Sequence, residues 1–497
     1  MKLIRPLSLV AAAAALLSPG LFVGASQDAA VYVLAGVRLR QGLMPYRDLF
    51  DNKPPGSYLV NAFGQAILPW LDPWRVAWLL SVGSCAGSAL VLYALLRRSV
   101  GPWSAWSWSL VGCAGAAGYL TALGGGLTET FALAPLSLAL WLVGTEPRNA
   151  KRSLGVGALL GVACLISLEC MPAAAAIGFG WALDRGSTRG DILNRVLLVG
   201  AAGSAIVLAA GAWLVATSAA GAAIDQLLLY NAAYRATGAG PISELPLAVV
   251  FLGGLAIPVF MELRSMARDP SGSDRLSWIS VAWIVGYAAY LAYQGRLFPH
   301  YLILAVPPVV LLSARGVEPL RVALATRNAA QSQVALGAVA VSVFALSVFC
   351  SLEVGSMALA HQSSLGGASD QTAAWIKANE PAGSSLFVWG YDPNLYLNGG
   401  AVPSEGYVFI YPLITPGFGS EARTAALLDA WRSHPPDMIV EVDCTVPLNR
   451  PDSTGGDTRT YDTLEPVRGF VRAHYRLAVS FGSGSAFDDI YVLVGSS

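Results

Sequence analysis

The stretch Ser26-Gln27-Asp28-Ala29-Ala30-Val31-Tyr32, followed by Gly42-Leu43-Met44-Pro45-Tyr46-Arg47-Asp48-Leu49-Phe50-Asp51-Asn52-Lys53-Pro54-Pro55-Gly56-Ser57-Tyr58, lies between two apolar runs, 6–25 and 74–96. Runs like these recur along the chain. A bilayer core of ~30 Å needs about 20 apolar residues as helix. Charged punctuation delimits eleven candidate spans, at 6–25, 74–96, 103–122, 127–144, 154–169, 171–184, 196–217, 245–261, 276–293, 301–314 and 333–352. Those at 154–169, 171–184 and 301–314 are short and read as tilted or partly buried helices. Composition agrees: of 497 residues, 55% are hydrophobic and 12% charged, about half the charged share of a soluble domain. A string of soluble domains is excluded, and a polytopic α-helical membrane protein with about eleven transmembrane helices is predicted.

The 31 basic and 31 acidic side chains exclude a polyanion-binding protein with a large basic excess. The balance hides an asymmetry. Residues 1–352 hold 23 basic and 15 acidic groups, residues 353–497 hold 8 and 16, so the two parts carry +8 and −8. This predicts a transmembrane domain over 1–352, with a first outer loop at 26–73, and a soluble domain over 353–497. Cytoplasmic loops retain Lys and Arg near span ends. With the N-terminus inside, 16 of the 23 basic residues fall on the inner side, including Arg97, Arg98, Arg152, Arg195, Arg264, Arg275 and Arg315. Of the seven outside, Arg38, Arg40, Arg47 and Lys53 share the first outer loop, an exception that points to function. Lys2, Arg5 and the Ala run also fit a secretory signal over residues 1–25; on either reading Asp28 emerges on the outer face.

After the last span, 370–380 and 423–431 read as helices, and 385–389, 437–442, 476–481 and 490–494 as strands, which predicts an extracytoplasmic α/β domain. The stretch 450–460 reads as a polar loop. The six cysteines, mostly inside apolar runs and with no CxxC pair, read as small buried hydrophobes rather than a disulfide framework or zinc site.

Within the first outer loop, Ser26–Gln41 mixes Val31, Leu34, Ala35 and Leu39 with Arg38 and Arg40, and Gly42 fits a helix stop. It reads as a helix in the membrane interface, its apolar side chains in lipid and its arginines at phosphate headgroups. Asp28 falls in or just before its first turn, where the helix dipole favours an anion. Asp48 and Asp51 flank Lys53 and a rigid Pro54-Pro55 turn. A single such charge would read as a solvated connector, but seven charges in residues 28–53 suggest an anionic substrate at the membrane surface, with Arg or Lys serving a phosphate.

The pattern Asp28-x3-Tyr32, Gly42-x2-Pro45-Tyr46-x-Asp48, Asp51-x-Lys53-Pro54-Pro55-Gly56-x-Tyr58 resembles the first outer loop of GT-C glycosyltransferases. The resemblance is to the family-39 type, which includes protein O-mannosyltransferases and lipid A aminoarabinose transferases. Leu127-Thr128-Glu129, Gly295-Arg296-x2-Pro299-His300-Tyr301 and Val388-Trp389-Gly390-x2-Pro393-x2-Tyr396 extend the resemblance over nearly the whole chain. It implies a multi-pass enzyme of the bacterial inner membrane and cell envelope, taking a sugar from a polyprenyl-phosphate donor on the extracytoplasmic face. Asp28 would be the base that deprotonates an acceptor hydroxyl, with inversion at the anomeric carbon. Lys53 would neutralise the leaving lipid phosphate, and Arg296 would be a second phosphate ligand. Many relatives have an Asp-Glu pair where this chain has Asp28-Ala29, so the missing carboxylate's role falls to Glu129 or is absent. Asp48, Asp51, Tyr58, His300 and Tyr301 complete the expected substrate contacts. No cofactor is implied with certainty; a divalent metal ion, if used, would fall to Asp28 and Glu129. Protein, lipid and glycan acceptors all fit.

Glu169, between two short spans, reads either as the partner of a basic residue or as facing water. Asp225 and Arg235 lie in an outer loop, 218–244, able to cover a site. Trp389-Gly390-Tyr391-Asp392 can be read as a binding turn of the distal domain; core packing of Trp389 is the preferred reading. No Walker-type loop, HExxH or GxSxG occurs, which argues against an ATPase, a zinc protease and an α/β-hydrolase. A transporter or flippase of lipid-linked saccharides is the alternative class; it would place polar features near mid-membrane, often in repeated halves, whereas the polar cluster here lies at the outer surface.

Overall fold

The computed structural model describes residues 3–145, 149–182, 187–237, 246–270, 274–318, 367–442, 448, 458–483 and 486–494. These fall into two compact units that do not follow chain order. The first draws on Met1–Ser26, Lys53–Trp213 and Ala239–Met357; the second on Gln27–Asn52, Leu214–Gly238 and Ala358–Ser497. The expected division at residue 352 and the span 333–352 lie outside the described residues. Within the described ones, most of the first outer loop packs with the C-terminal part rather than with the spans that flank it in sequence.

The first unit is a helical bundle. Helices occupy Ile4–Leu17 with Gly20–Val23, Pro73–Leu96, Pro102–Ala117, Thr128–Gly144, Ala150–Ile166, Met171–Ala182, Arg189–Ala216, Pro246–Arg268 and Arg275–Gln294, at the positions of the apolar runs. The last, Pro299–Glu318, opens as a 3-10 turn, Pro299–Ala305. Among the described residues, Ile4–Val23, Pro73–Leu96, Arg189–Ala216, Arg275–Gln294 and Pro299–Glu318 are long and apolar enough to cross a membrane. Arg189–Ala216 shows what solvent it expects. Leu208 on it is 70% exposed and Leu214 is its single buried residue, a surface that water would penalise and lipid would not. It meets the bundle through small residues: Gly157 and Gly161 lie against the backbone of Val199 and Gly203, the close approach that membrane helices use. Cys85, Cys113, Cys164 and Cys170 are free thiols.

The second unit carries a five-stranded mixed sheet. Its strands are β1 Ser385–Trp389, β2 Val402–Pro403, β3 Met438–Val442, β4 Tyr475–Ser483 and β5 Ala486–Leu493, in the order β2-β1-β3-β5-β4. β1 runs parallel to β2 and β3, while β5 is antiparallel to β3 and β4. Phe387, Trp389, Trp431, Ile439 and Tyr491 form its core with residues of the helices Ser420–Ser433 and Thr458–His474. Of the polar stretch 450–460, residues 450–457 lie outside the described residues and Thr458 opens the latter helix. The helix Gln27–Arg40 belongs to this unit and corrects one expectation: Ala29 through Gly36 are all buried within the protein, and the helix packs on Asn394–Gly399. Protein therefore covers the apolar face expected to dip into lipid.

Candidate functional site

In the bundle, chemistry gathers around Lys53. Its Nζ lies 2.9 Å from Glu169 Oε1, with 17% and 7% of the two side chains exposed. The other oxygen of Glu169 accepts a hydrogen bond from Ser167 Oγ at 2.5 Å. The sequence builds this pair from the turn that follows the lysine. Gly56 opens the helix Gly56–Ile67 directly against the backbone of Leu165 and Ile166, where a Cβ would come within 2.5 Å of Leu165 O. Only glycine allows that approach, and it brings Lys53 to the segment carrying Ser167 and Glu169. Tyr58 hydroxyl donates to Lys53 O at 2.9 Å, a bond that fixes the lysine's backbone.

Glu129, 1% exposed in the first turn of Thr128–Gly144, lies within electrostatic range of Lys53, His300 and Glu169. Its Oε1 makes no hydrogen bond among the described residues, nor do the buried hydroxyls of Thr128 and Thr130. Three consecutive polar side chains with unsatisfied oxygens inside an apolar bundle are costly and mark where a polar ligand or water would be accommodated. His300 is buried and stacks on Phe298 with ring centres 5.6 Å apart; Tyr301 crosses it edge-on at 4.7 Å. Lys53 Nζ sits 5.6 Å from the centre of the Tyr301 ring, within cation–π range, and Tyr287 hydroxyl donates to Tyr301 O at 2.5 Å. Arg296 is half-buried in the segment between Arg275–Gln294 and the 3-10 turn.

The opposite end of Thr128–Gly144 carries a different set of charges. Arg275 donates to Val143 O, and Arg152 Nη1 donates to Thr145 Oγ1 at 2.9 Å. Arg315 pairs with Asp274 and donates to Ser277 Oγ at 2.8 Å. A helix of 17 residues separates Glu129 from Arg152 and Arg275 by roughly 25 Å. The carboxylate-rich end and the arginine-rich end are thus at opposite poles of one bundle.

In the second unit, Asp28 stands half-buried in the first turn of Gln27–Arg40, and Tyr391 hydroxyl donates to its Oδ1. The residues around Tyr391 explain why the sequence turns there. β1 ends at Trp389, whose ring is in the core; Gly390 follows at φ +140° with its Cα against Val442, a position without room or backbone freedom for a side chain. Asp392 Oδ1 then accepts from Asn394 N at 3.2 Å while Oδ2 takes Ser369 hydroxyl at 2.5 Å. Tyr396 hydroxyl accepts from Val388 N at 3.1 Å, tying the helix back to the strand. Burial, and then the neighbouring Asp28 charge, push the Tyr391 phenol well above its ordinary pKa, so it remains a donor at neutral pH.

Asp48 and Asp51 serve the loop itself. Asp48 Oδ2 accepts from Met44 N at 2.7 Å, and its two oxygens receive Arg47 Nε at 2.8 Å and Nη2 at 2.7 Å. These bonds, Arg47's above all, hold its carboxyl below the usual carboxylate range. They close a turn in which Tyr46 adopts φ +68°, a strained conformation for a bulky residue. Asp51 is buried, accepts from Asn52 N at 2.7 Å and has its own N–H on Gln226 Oε1 at 3.1 Å. Gln226 lies on a π-helical turn, Asp225–Tyr230, and donates to Tyr46 O at 2.7 Å. Asp225 itself pairs with Arg423 at 2.6 Å, a structural contact.

Of the expected site residues, the bundle brings together Lys53, Glu129, His300 and Tyr301, with Tyr58 behind the lysine and Glu169 added as its counter-ion. Tyr391, which the sequence reading passed over in favour of Trp389, is joined to Asp28. Among the described residues no group of three or more His, Cys, Asp or Glu side chains is arranged to hold a metal ion.

Buried apolar helices, a charged pole inside the bundle and a lipid-type outer surface define a polytopic helical membrane protein. No protein-family model and no curated protein matches the sequence. Among solved structures, the chain is similar to ArnT from Cupriavidus metallidurans bound to undecaprenyl phosphate, with a TM-score of 0.64 and 15% identity over 99% of this chain and 98% of that one. The same protein in the apo state gives 0.58 and 13% over 93% of each chain. The Archaeoglobus fulgidus oligosaccharyltransferase in complex with zinc and sulfate gives 0.51 and 13%, over 86% of this chain and 67% of that one. These proteins share the GT-C fold, and the chain has that fold.

Proposed function

We propose that this chain is a membrane glycosyltransferase that moves a sugar from a polyprenyl-phosphate donor to an acceptor hydroxyl on the extracytoplasmic face, with inversion. The observation that carries the reading is the Lys53 centre: a lysine drawn into an apolar bundle, paired at 2.9 Å with Glu169 and near the unsatisfied Glu129. A buried ion pair of this kind beside an unsatisfied carboxylate is expensive and marks a functional site, and a lipid phosphate is an anion that its lysine can serve. The similarity to ArnT, whose structure holds undecaprenyl phosphate, supports the same ligand class here. The arginine-rich pole fits the cytoplasmic side. The orientation follows: N-terminus inside, eleven spans, and the Lys53 centre, Asp28 and the C-terminal domain outside, in a bacterial inner membrane.

In the reaction, the acceptor oxygen forms a bond to the anomeric carbon as its proton passes to Asp28. The bond from that carbon to the phosphate oxygen breaks, and its electron pair leaves with the polyprenyl phosphate. Lys53 and Arg296 meet the charge on the departing phosphate. Glu129 and His300 orient the sugar or its phosphate from the buried side, and Tyr301 supplies an aromatic face beside the lysine. Asp48, Asp51 and Tyr58 act by shaping the loop that carries Asp28 and Lys53. A flippase would be expected to carry its charge near mid-membrane; the charges here lie at the helix ends. The test is sugar transfer by the purified full chain from a panel of labelled undecaprenyl-phosphate sugars in membranes bearing candidate acceptors. Asp28→Asn is expected to lower transfer by about 100-fold or more while donor binding is kept. Equal transfer by both proteins refutes the base assignment, and vectorial movement of the donor without transfer refutes the enzyme.

A further inference from the structure

Asp28 makes one hydrogen bond to a side chain among the described residues, and it comes from the C-terminal domain: the Tyr391 hydroxyl on Oδ1. The phenol is itself held. Its ring meets Phe409 edge-on with centres 5.1 Å apart and lies over Tyr411 at 5.3 Å, and Phe409 in turn meets Phe50 of the outer loop edge-on at 5.9 Å. Gly390 and the Asp392 cap fix the backbone on either side. A clamped donor on one carboxylate oxygen fixes the rotamer of the acid and distinguishes its two oxygens, and an ordered carboxylate loses less freedom when it takes a proton in a transition state.

We propose that Tyr391 is the positioning residue of Asp28, occupying Oδ1 and presenting Oδ2 as the oxygen that accepts the proton of the sugar acceptor. The inference rests on Asp28 as the base. It makes the C-terminal domain part of the catalytic apparatus, contributing to turnover through the carboxylate rather than by touching the donor.

Two arms test it in the full-length protein. The first needs no substrate: a thermal double-mutant cycle over Tyr391→Phe, Asp28→Ala and the double variant. Phe keeps the ring contacts and removes only the hydroxyl. Non-additive melting shifts are expected; additive ones mean that hydroxyl and carboxylate do not interact, and overturn the proposal. The second measures steady-state transfer from the undecaprenyl-phosphate sugar panel. Tyr391→Phe is expected to lower kcat about 10- to 100-fold, the effect of one hydrogen bond to a charged group, with the donor KM unchanged and with no further loss once Asp28 is Ala. A raised KM at unchanged kcat, or a wild-type kcat in Tyr391→Phe while Asp28→Ala is inactive, overturns the Tyr391 role and leaves the Asp28 assignment standing. Wild-type transfer by Asp28→Ala instead removes the base assignment itself, even with the thermal coupling intact, and the positioning role falls with it.

Discussion

Lys53 and Glu169 lie 2.9 Å apart, largely withdrawn from solvent, whereas Asp28 stands half-buried at the start of a helix with a neutral phenol on one oxygen. The bundle and the second unit thus carry charge in different ways. Inside the bundle Lys53 and Glu169 depend on each other, because an unpaired ion in an apolar medium costs several kcal/mol. In the second unit the Asp28 carboxylate is half-buried and steadied by the Tyr391 hydroxyl. Under the proposed function the contrast separates two tasks: Lys53 would hold an anion and Asp28 would take a proton.

The largest expected effect breaks the bundle pair. Lys53→Ala leaves Glu169 buried without its counter-ion and is expected to destabilise the protein by about 3–5 kcal/mol and to abolish transfer. Combining Lys53→Met with Glu169→Gln removes both charges and is expected to recover most of the melting temperature but none of the transfer. Restored transfer in the double variant would show that the cation has no part in the reaction; a wild-type melting temperature in Lys53→Ala would show that the pair is well hydrated.

Next in size is Glu129→Gln. The side chain keeps its shape and loses the carboxylate whose Oε1 is unsatisfied within range of Lys53, His300 and Glu169. Melting is expected to stay within about 1 kcal/mol of wild type, because a buried carboxylate's desolvation is relieved as its attraction to Lys53 is lost. Transfer is expected to fall about 10- to 100-fold. Unchanged transfer would move Glu129 from the reaction to the packing of the bundle and weaken the contrast with Asp28.

Much of the bundle was legible because apolar runs of span length and the placement of arginines are local properties of a sequence. The Lys53-Pro54-Pro55-Gly56 turn was legible too, although the use of its glycine emerged only with Leu165 against it. The pairings were not legible. Lys53 and Glu169 are 116 residues apart and Asp28 and Tyr391 are 363 apart; no periodicity reports such contacts, which tertiary packing alone selects. Asp48 adds what the sequence could not report: Arg47 next to it and the Met44 amide both bond to its oxygens. Tyr391 had a signal in the glycine before it, since a strand that ends in glycine commonly turns sharply and re-aims the next side chain. The strand order could not be read, because the two-residue β2 carries no pattern and a mixed sheet places β5 between β3 and β4.

The smallest effect probes a buried carboxylate of the second unit. Asp488 lies on β5 opposite Val442, 5% exposed, with Oδ2 making no hydrogen bond among the described residues. Burial, and after it the nearby Asp392 and Asp489 carboxylates, raise its pKa to about 7 from the ordinary 3.8. The folded protein therefore keeps a proton that the unfolded chain releases between these values, so stability from this group falls as pH rises through that window and is lowest above about 7. Between pH 5 and pH 6 the wild-type protein is expected to lose about 1 kcal/mol relative to Asp488→Asn, which cannot titrate there. Thermal melting of both full-length proteins at the two pH values measures the difference. Parallel melting curves would mean that Asp488 is already ionised in the folded state, and that the second unit, like the Lys53–Glu169 pair of the bundle, holds this buried carboxylate through a partner.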